Sequence, residues 1–224
     1  MTAQPAFKEA ERKQLSMLAA AEKKVLVWLA ERMPAWVNSD HLTMLGFIAM
    51  FAAGLCYWLA SYDRRALLAV IVALVINWFG DSLDGTLARA RNKQRPRYGF
   101  YVDHIIDAFG ILFVICGLAM SGYMSWVIAL AVLATYFLLS IDVYLATYTI
   151  GTFRLSFYKF SPTELRIVLA IGNIRAMLHP TTRVLGDQHL FFDIGAVIAI
   201  AMMAIIVIVS VIRNTIVLYR AEKV

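Results

Sequence analysis

The sequence predicts an all-α integral membrane protein with six transmembrane helices, preceded by an amphipathic helix at the membrane interface. Hydrophobic residues make up 61% of its 224 residues, whereas soluble domains are about 45–50% apolar. Long apolar runs alternate with short polar stretches, which is typical of helical membrane proteins. We expect residues 1–38 to form an N-terminal cytoplasmic or interfacial segment, and residues 39–224 to form the six-helix transmembrane domain.

The elements follow from the chain in order. Between residues 7 and 33, Lys and Glu alternate with Leu, Ala and Val at helical spacing. This segment is predicted to lie on the membrane surface, with an ordinary solvated helix as the alternative. Six predicted spans then follow, at 42–61, 66–86, 100–121, 125–148, 163–180 and 190–212. The fifth is the most polar of them, because Arg166, Asn173 and Arg175 interrupt it.

The basic residues predict an orientation. With six spans, sixteen of the 21 Lys and Arg residues fall on the side that holds both termini, and three fall on the other side. Because cytoplasmic loops carry an excess of Lys and Arg, we expect a multi-pass protein of the cell (inner) membrane with cytoplasmic N- and C-termini. Anionic headgroups and phosphorylated substrates account for the net charge of +6, so no nucleic-acid partner is expected.

Four carboxylates lie where the second and third spans meet the cytoplasmic side. The second span has a run of only fourteen residues, 66–79, that is apolar apart from Asn77. As a helix it covers about 21 Å, against a hydrocarbon core of about 30 Å. Its helix is therefore predicted to continue through Asp81 and Asp84. The uninterrupted apolar run of the third span begins only at residue 108, which places Asp103 and Asp107 within the cytoplasmic end of its helix.

Helical spacing gathers these carboxylates onto two faces. The first face is formed by positions i, i+3, i+4, i+7 and i+8, which are Asp81, Asp84, Gly85, Ala88 and Arg89. The second is formed by positions i, i+4 and i+8, which are Gly99, Asp103 and Asp107. Converging carboxylates repel one another unless a cation lies between them, and ligands that are all oxygen suit Mg²⁺ or Mn²⁺.

The other residues of these faces indicate what the metal would hold. Gly85, Ala88 and Gly99 leave room for a bulky ligand, and Arg89 adds a fixed positive charge suited to phosphate. The pattern therefore predicts a metal-bound diphosphate. The alternative is that the carboxylates are neutralised by nearby basic residues in an interfacial loop.

These residues resemble the signature of the CDP-alcohol phosphotransferases, D-x-x-D-G-x-x-A-R, a spacer, and G-x-x-x-D-x-x-x-D. All eight fixed positions match, and the spacer, residues 90–98, has nine residues where eight is commonest. The resemblance extends over about residues 34–180. In "NSDHLTMLG", Leu42 and Thr43 match the family's P-N-x-L-T, whereas Ser39 and Asp40 replace its Pro and Asn. The stretch "TYTIGTFRLSFYKFSPTE" is similar to choline/ethanolamine phosphotransferases.

The resemblance implies six transmembrane helices, usually a homodimer, and an enzyme at the cytoplasmic side of the membrane. In the implied reaction, a CDP-linked donor passes its phosphate-bearing group to an alcohol acceptor and CMP leaves. One or two divalent ions would be bound by Asp81, Asp84, Asp103 and Asp107, with Asp107 also the expected catalytic base. The nucleotide site would be lined by Thr43, Asp81, Asp84, Gly85, Ala88, Arg89 and Gly99.

The start of the fifth span carries the predicted acceptor pocket, whose lining residues are Arg154, Lys159, Glu164 and Arg166. The alternative is a capped helix start with cations that reach the interface. CDP-diacylglycerol is the expected donor, because the compact chain resembles bacterial and archaeal members that use it. The expected acceptor is inositol, an inositol phosphate, glycerol phosphate or a similar polyol.

Three other functions compete with this hypothesis. A transferase that moves phosphocholine or phosphoethanolamine from its CDP-linked form to diacylglycerol remains open. An intramembrane prenyltransferase also holds Mg-diphosphate between acidic clusters, but it places them farther apart than the nineteen positions that separate Asp84 and Asp103. A divalent-cation carrier explains the carboxylates but not the accompanying small residues and Arg89.

Overall fold

The computed structural model describes residues 19–150, 162–184 and 186–222. Within these ranges the chain forms seven helices and one two-stranded hairpin. In chain order they are α1 (Ala19–Arg32), α2 (Ser39–Leu59), α3 (Ala66–Ala90), α4 (Pro96–Met120), α5 (Trp126–Ile150), α6 (Pro162–Leu178), β1 (Thr181–Val184), β2 (Asp187–Leu190) and α7 (Phe191–Ala221).

The predicted helical membrane architecture is confirmed at the level of class. Among the described residues, five helices are long and apolar enough to cross a membrane, namely α2, α3, α4, α5 and α7. They coincide with five of the six predicted spans. The described part of the chain is therefore that of a multi-pass membrane protein, and it is helical apart from its short hairpin. Large apolar side chains such as Ile205 of α7 lie exposed on the outer surface, where lipid would contact them.

The predicted fifth span and the interfacial helix stay predictions. Helix α6 lies at the position of the predicted fifth span, but its 17 residues extend only about 25 Å at about 1.5 Å per residue. That length is short of a hydrocarbon core of about 30 Å. Helix α1 lies within the segment predicted to rest on the membrane surface, and its 14 residues mix charged and apolar side chains.

The hairpin before α7 is the element that the sequence analysis did not predict. Its strands pair antiparallel, with Thr181 opposite Leu190 and Val184 opposite Asp187. The turn includes Gly186 at φ +103°, a conformation that glycine adopts without steric cost. Strands of four residues show too little alternation of apolar and polar side chains to stand out beside long apolar helices.

Helices α2, α3 and α4 pack together because glycines remove side chains where they cross. A Cβ on Gly80 of α3 would lie 2.5 Å from the carbonyl oxygen of Leu42 and 2.7 Å from the nitrogen of Gly46, both on α2. Gly54 of α2 and Gly117 of α4 meet in the same way. Small residues at such crossings let helix backbones approach closely. The α2–α3 crossing therefore brings the start of α2 beside the acidic part of α3.

Helix α1 is docked on the same part of α3 by apolar contacts. Leu26 and Ala30 of α1 are buried in a cluster that includes Leu83 and Leu87 of α3. Beyond the end of α3, the guanidinium of Arg91 donates hydrogen bonds to backbone carbonyls of the α1–α2 connection. The N-terminal helix is thus attached to the helix that carries the first two aspartates of the signature.

Candidate functional site

The four aspartates lie on two helices, α3 and α4, that both pack against α2. Asp81 and Asp84 lie on α3, which continues as a helix to Ala90. Asp103 and Asp107 lie in the first half of α4, which begins at Pro96. Proline suits the first turn of a helix, where no backbone N–H has to be donated. The helix therefore starts early enough to carry both carboxylates.

Asp84 is the most enclosed carboxylate of the site, with 8% of its surface exposed. The Thr43 hydroxyl of α2 donates a hydrogen bond of 2.6 Å to its Oδ2, and the backbone N–H of Gly85 donates to its Oδ1. Burying a carboxylate is costly unless hydrogen bonds compensate for lost water. The structure thus brings Thr43, which the sequence analysis placed in the nucleotide site, into direct contact with one of the predicted metal ligands.

Asp81 forms an ion pair with a residue that the sequence analysis assigned to the acceptor pocket. Nη2 of Arg166 lies 2.5 Å from Oδ2 of Asp81, and Nε of Arg166 donates a hydrogen bond of 2.8 Å to Oδ1 of Asn77. The Arg166 side chain is only 15% exposed, so it points into the bundle and does not reach outward to the interface. Asn77 in turn donates to the carbonyl of Gly46 at 3.0 Å, which ties α2, α3 and α6 together.

The carboxylates of the two helices lie within electrostatic range of one another. Asp81 and Asp103 both repel the negative charge of Asp84. Asp107 is more exposed and lies close enough to the phenols of Tyr136 and Tyr144 on α5 to interact with them electrostatically. The arrangement concentrates negative charge at one place, with Asp107 at its α5 side.

The fit of this site to a divalent cation rests on donor chemistry. In the ranges that the structure describes, no three His, Cys, Asp or Glu side chains are arranged to hold one ion together. The nearby acidic groups nevertheless provide only oxygen donors, which suit a hard cation, and their mutual repulsion favours a positive charge among them. Arg166 already supplies one such charge to Asp81. Metal binding by these four aspartates stays a prediction.

The predicted nucleotide-binding residues border open space. A Cβ on Gly99 would meet no atom within 4 Å, and one on Gly85 would meet only the guanidinium of Arg89, at 3.4 Å. Arg89 is exposed and its Nη2 donates a hydrogen bond of 3.1 Å to the hydroxyl of Thr86. Ala88, which precedes Arg89 in the chain, is half-buried. These residues therefore leave space beside the carboxylates, which is what a bulky phosphate ester requires.

The structure describes two of the four predicted acceptor residues, Glu164 and Arg166. Arg154 and Lys159 lie outside the described residues. Glu164 lies in the first turn of α6, two residues before Arg166. Of these two described residues, Arg166 is the one placed in contact with Asp81.

Sequence reasoning missed a polar face on α5. Tyr136, Ser140 and Tyr144 stand at i, i+4 and i+8 in a mostly apolar helix, and both tyrosines lie within electrostatic range of Asp107. The ring of His104 on α4 lies edge-to-face with the ring of Tyr144, with centroids 5.0 Å apart. The spacing of hydroxyl side chains along a span was the signal that could have revealed this face.

A family model covers most of the chain. The family model described as CDP-alcohol phosphatidyltransferase matches residues 36–212. The chain belongs to the CDP-alcohol phosphatidyltransferase family. The match includes every signature residue and begins after α1, so the N-terminal helix lies outside the part of the chain that the family model describes.

One curated relative of the chain is the archaetidylinositol phosphate synthase of Pyrococcus horikoshii. The two are 31% identical over 90 residues, which cover 40% of this chain and 45% of the relative. The matched part of the chain thus covers less than half of the relative's length.

Proposed function

We propose that this protein is a membrane phosphotransferase that moves a substituted phosphate group from CDP-diacylglycerol to the hydroxyl of a polyol or polyol phosphate. The observation that carries the proposal is the position of Asp84. It is buried, accepts a hydrogen bond from Thr43 and lies within electrostatic range of Asp81 and Asp103, in a chain whose signature matches the family at every fixed position. Inositol, an inositol phosphate and glycerol phosphate are the proposed acceptors. The name of the relative favours an inositol phosphate among them.

The site residues would have different roles according to their positions. Asp81, Asp84, Asp103 and Asp107 would hold one or two Mg²⁺ or Mn²⁺ ions, which when bound would neutralise charge on the diphosphate and on the leaving CMP. Thr43 would hold the Asp84 carboxylate in place. Gly85, Ala88, Arg89 and Gly99 would border the CDP group, with the Arg89 guanidinium available to its phosphates.

In the proposed reaction, a bond forms between the acceptor oxygen and the phosphorus that carries the diacylglycerol. The bond from this phosphorus to the oxygen of CMP breaks, and CMP leaves with that electron pair. The proton of the acceptor hydroxyl passes to Asp107, which is exposed and can be reached by an acceptor. The positive charge of Arg166 at Asp81 suits an acceptor that carries a phosphate of its own.

The proposal extends to the orientation of the protein in the membrane and to its oligomeric state. The basic residues favour cytoplasmic termini and a site at the cytoplasmic side of the membrane. A sixth span at α6 would complete an even number of crossings and put both termini on one side. We also propose a homodimer, as the family resemblance implies.

The test is to offer purified protein, with Mg²⁺ or Mn²⁺, a panel of donors and acceptors. CMP release and the mass of the lipid product are measured together. We expect CMP release from CDP-diacylglycerol, with a polyol or polyol phosphate in the product. Products from CDP-choline or CDP-ethanolamine with diacylglycerol would establish the alternative transferase, whereas no CMP from any donor would contradict both.

A pair of matched variants ties the activity to this site. Asp84→Asn removes one anionic oxygen from the carboxylate cluster, so it should weaken CDP binding and abolish most turnover. Asp142→Asn makes the same change on α5, where Asp142 accepts a hydrogen bond from Ser210 of α7, and should leave CDP binding unchanged. Equal CDP affinity in Asp84→Asn and the native protein would exclude Asp84 from the binding site.

A further inference from the structure

A carboxylate from outside the family match joins the two helices that carry the Asp81–Arg166 ion pair. Oε1 of Glu22 on α1 accepts a hydrogen bond of 2.8 Å from the indole N–H of Trp78 on α3. The same oxygen accepts one of 2.6 Å from the hydroxyl of Thr163 on α6. We call these three residues the Glu22 bridge. Trp78 lies one turn before Asp81, and Thr163 lies one turn before Arg166.

The chemistry of the Glu22 bridge suits a carboxylate. Hydrogen bonds to an ionised acceptor are stronger than those between neutral groups. Thr163 lies in the first turn of α6, and the N-terminus of a helix carries partial positive charge that stabilises a nearby anion. Among the described residues, the other oxygen of Glu22, Oε2, is buried and accepts no hydrogen bond. The cost of burying this carboxylate is therefore offset mainly by its bonds to α3 and α6.

The Glu22 bridge adds an attachment that the apolar contacts of α1 do not supply. Leu26 and Ala30 dock α1 on Leu83 and Leu87 of α3, and these contacts do not involve α6. What Glu22 adds is the link from this docked helix to the first turn of α6.

The position of α6 matters because Arg166 donates hydrogen bonds to two residues of α3 at once. Its Nε bonds to Asn77 and its Nη2 bonds to Asp81, and Asn77 and Asp81 lie one turn apart on α3. The guanidinium is a rigid plane, so both bonds require one orientation of the Arg166 side chain. A shift or rotation of the first turn of α6 would break them together.

We propose that Glu22 is a positioning residue that ties the first turn of α6 to α3. It thereby holds Arg166 between Asn77 and Asp81 and orients the Asp81 carboxylate within the site. Its effect on turnover rests on the proposed function, whereas its effect on Arg166 is independent of any substrate.

The structural part is tested by side-chain nitrogen NMR on the full chain in lipid nanodiscs. The indole signal of Trp78 is assigned with Trp78→Phe and the Nε–H signal of Arg166 with Arg166→Lys. In Glu22→Ala we expect the Trp78 signal to shift. We also expect the Arg166 Nε–H to exchange with water about tenfold faster or more. The reason is that the variant loses the two charge-assisted hydrogen bonds that Glu22 accepts from Trp78 and Thr163.

Matched variants distinguish loss of the Glu22 bridge from a general disturbance of α1. Glu22→Gln keeps an oxygen that can accept both bonds and should restore slow exchange. Thr163→Val should speed Arg166 exchange without changing α1, whereas Thr163→Ser keeps the hydroxyl and should not. Glu31→Ala removes an exposed carboxylate from the same helix and should leave both signals unchanged.

The functional part is tested by CMP release from the same preparations. We expect Glu22→Ala and Thr163→Val to lower kcat and raise the concentration of Mg²⁺ that gives half activity, each about tenfold, with Glu22→Gln and Thr163→Ser near native values. An unshifted Trp78 signal or unchanged Arg166 exchange in Glu22→Ala would overturn the inference, as would full activity with a loosened Arg166. If the native protein released no CMP from any donor, the proposed function would fail, and the exchange comparison would still decide whether Glu22 positions Arg166.

Discussion

Thr43 of α2 donates its hydroxyl hydrogen bond to the carboxylate of Asp84 on α3 across 2.6 Å. The contact exists because Gly46 and Gly80 let the two helices touch backbone to backbone close by. A residue of the first predicted span thereby fixes the side chain of a signature aspartate in the second. This contact leads to a direct test of how far the site depends on α2.

Replacing Thr43 with Val should weaken CDP binding about tenfold. Valine matches threonine in shape but donates no hydrogen bond, so it leaves a buried acceptor of Asp84 unsatisfied. Thr43→Ser keeps the hydroxyl and is the control, with affinity expected near that of the native protein. Calorimetric titration with CDP in the presence of Mg²⁺ measures both, and equal affinity in the Val and Ser variants would show that the hydroxyl is dispensable.

Activity should depend on a divalent ion. Carboxylates that lie within repulsive range of one another need a positive charge among them to bind a diphosphate. CMP release should therefore stop in excess chelator and return when Mg²⁺ or Mn²⁺ is added in excess of the chelator. Chelator saturated with Mg²⁺ beforehand is the control for direct inhibition. Full activity in free chelator would remove the metal from the mechanism.

Asp107→Asn distinguishes a base from a metal ligand. Asparagine keeps the size and one oxygen of the side chain but cannot take the proton of the acceptor. If Asp107 acts mainly as the base, CDP binding should persist while turnover falls about 10²–10⁴-fold. If it acts mainly as a ligand, binding and turnover should fall together. Both are measured on one preparation, with Asp142→Asn as the control, and turnover near the native rate would rule out both roles.

Gly80→Ala should destabilise the fold, whereas Gly99→Ala should not. The added methyl at Gly80 would collide with the backbone of α2, and overpacking of this kind costs about 1–3 kcal/mol. The methyl at Gly99 would meet nothing within 4 Å, and alanine favours a helix over glycine by about 1 kcal/mol. Thermal unfolding in detergent should show a lower midpoint for Gly80→Ala only. An unchanged midpoint in Gly80→Ala would mean that α2 and α3 can move apart without loss of stability.

Much of the site was predictable from local pattern. The shortness of the apolar run 66–79 required α3 to continue through Asp81 and Asp84, and the structure shows that it does. Helical spacing placed each pair of aspartates on one face, and the signature identified the family. Each of these inferences depends on residues within a few turns of one another.

The contacts that organise the site were not predictable in this way. Arg166 lies 85 positions from Asp81, and Glu22 lies 141 positions from Thr163. From the sequence, Arg166 was expected to be an acceptor ligand or a cation that reaches the interface, and no role was assigned to Glu22. Such pairings depend on which helices become neighbours.

The sequence by itself determined the membrane class, the helical faces and the signature, because apolar run length and a period of 3.6 residues are properties of a local backbone. Only the tertiary structure decided that Thr43 meets Asp84, that Arg166 pairs with Asp81 and that α1 reaches α6 through Glu22. These contacts form where helices cross. The crossing points are set by the fit of small residues such as Gly46 and Gly80 against each other, a property of two surfaces together that neither segment shows alone.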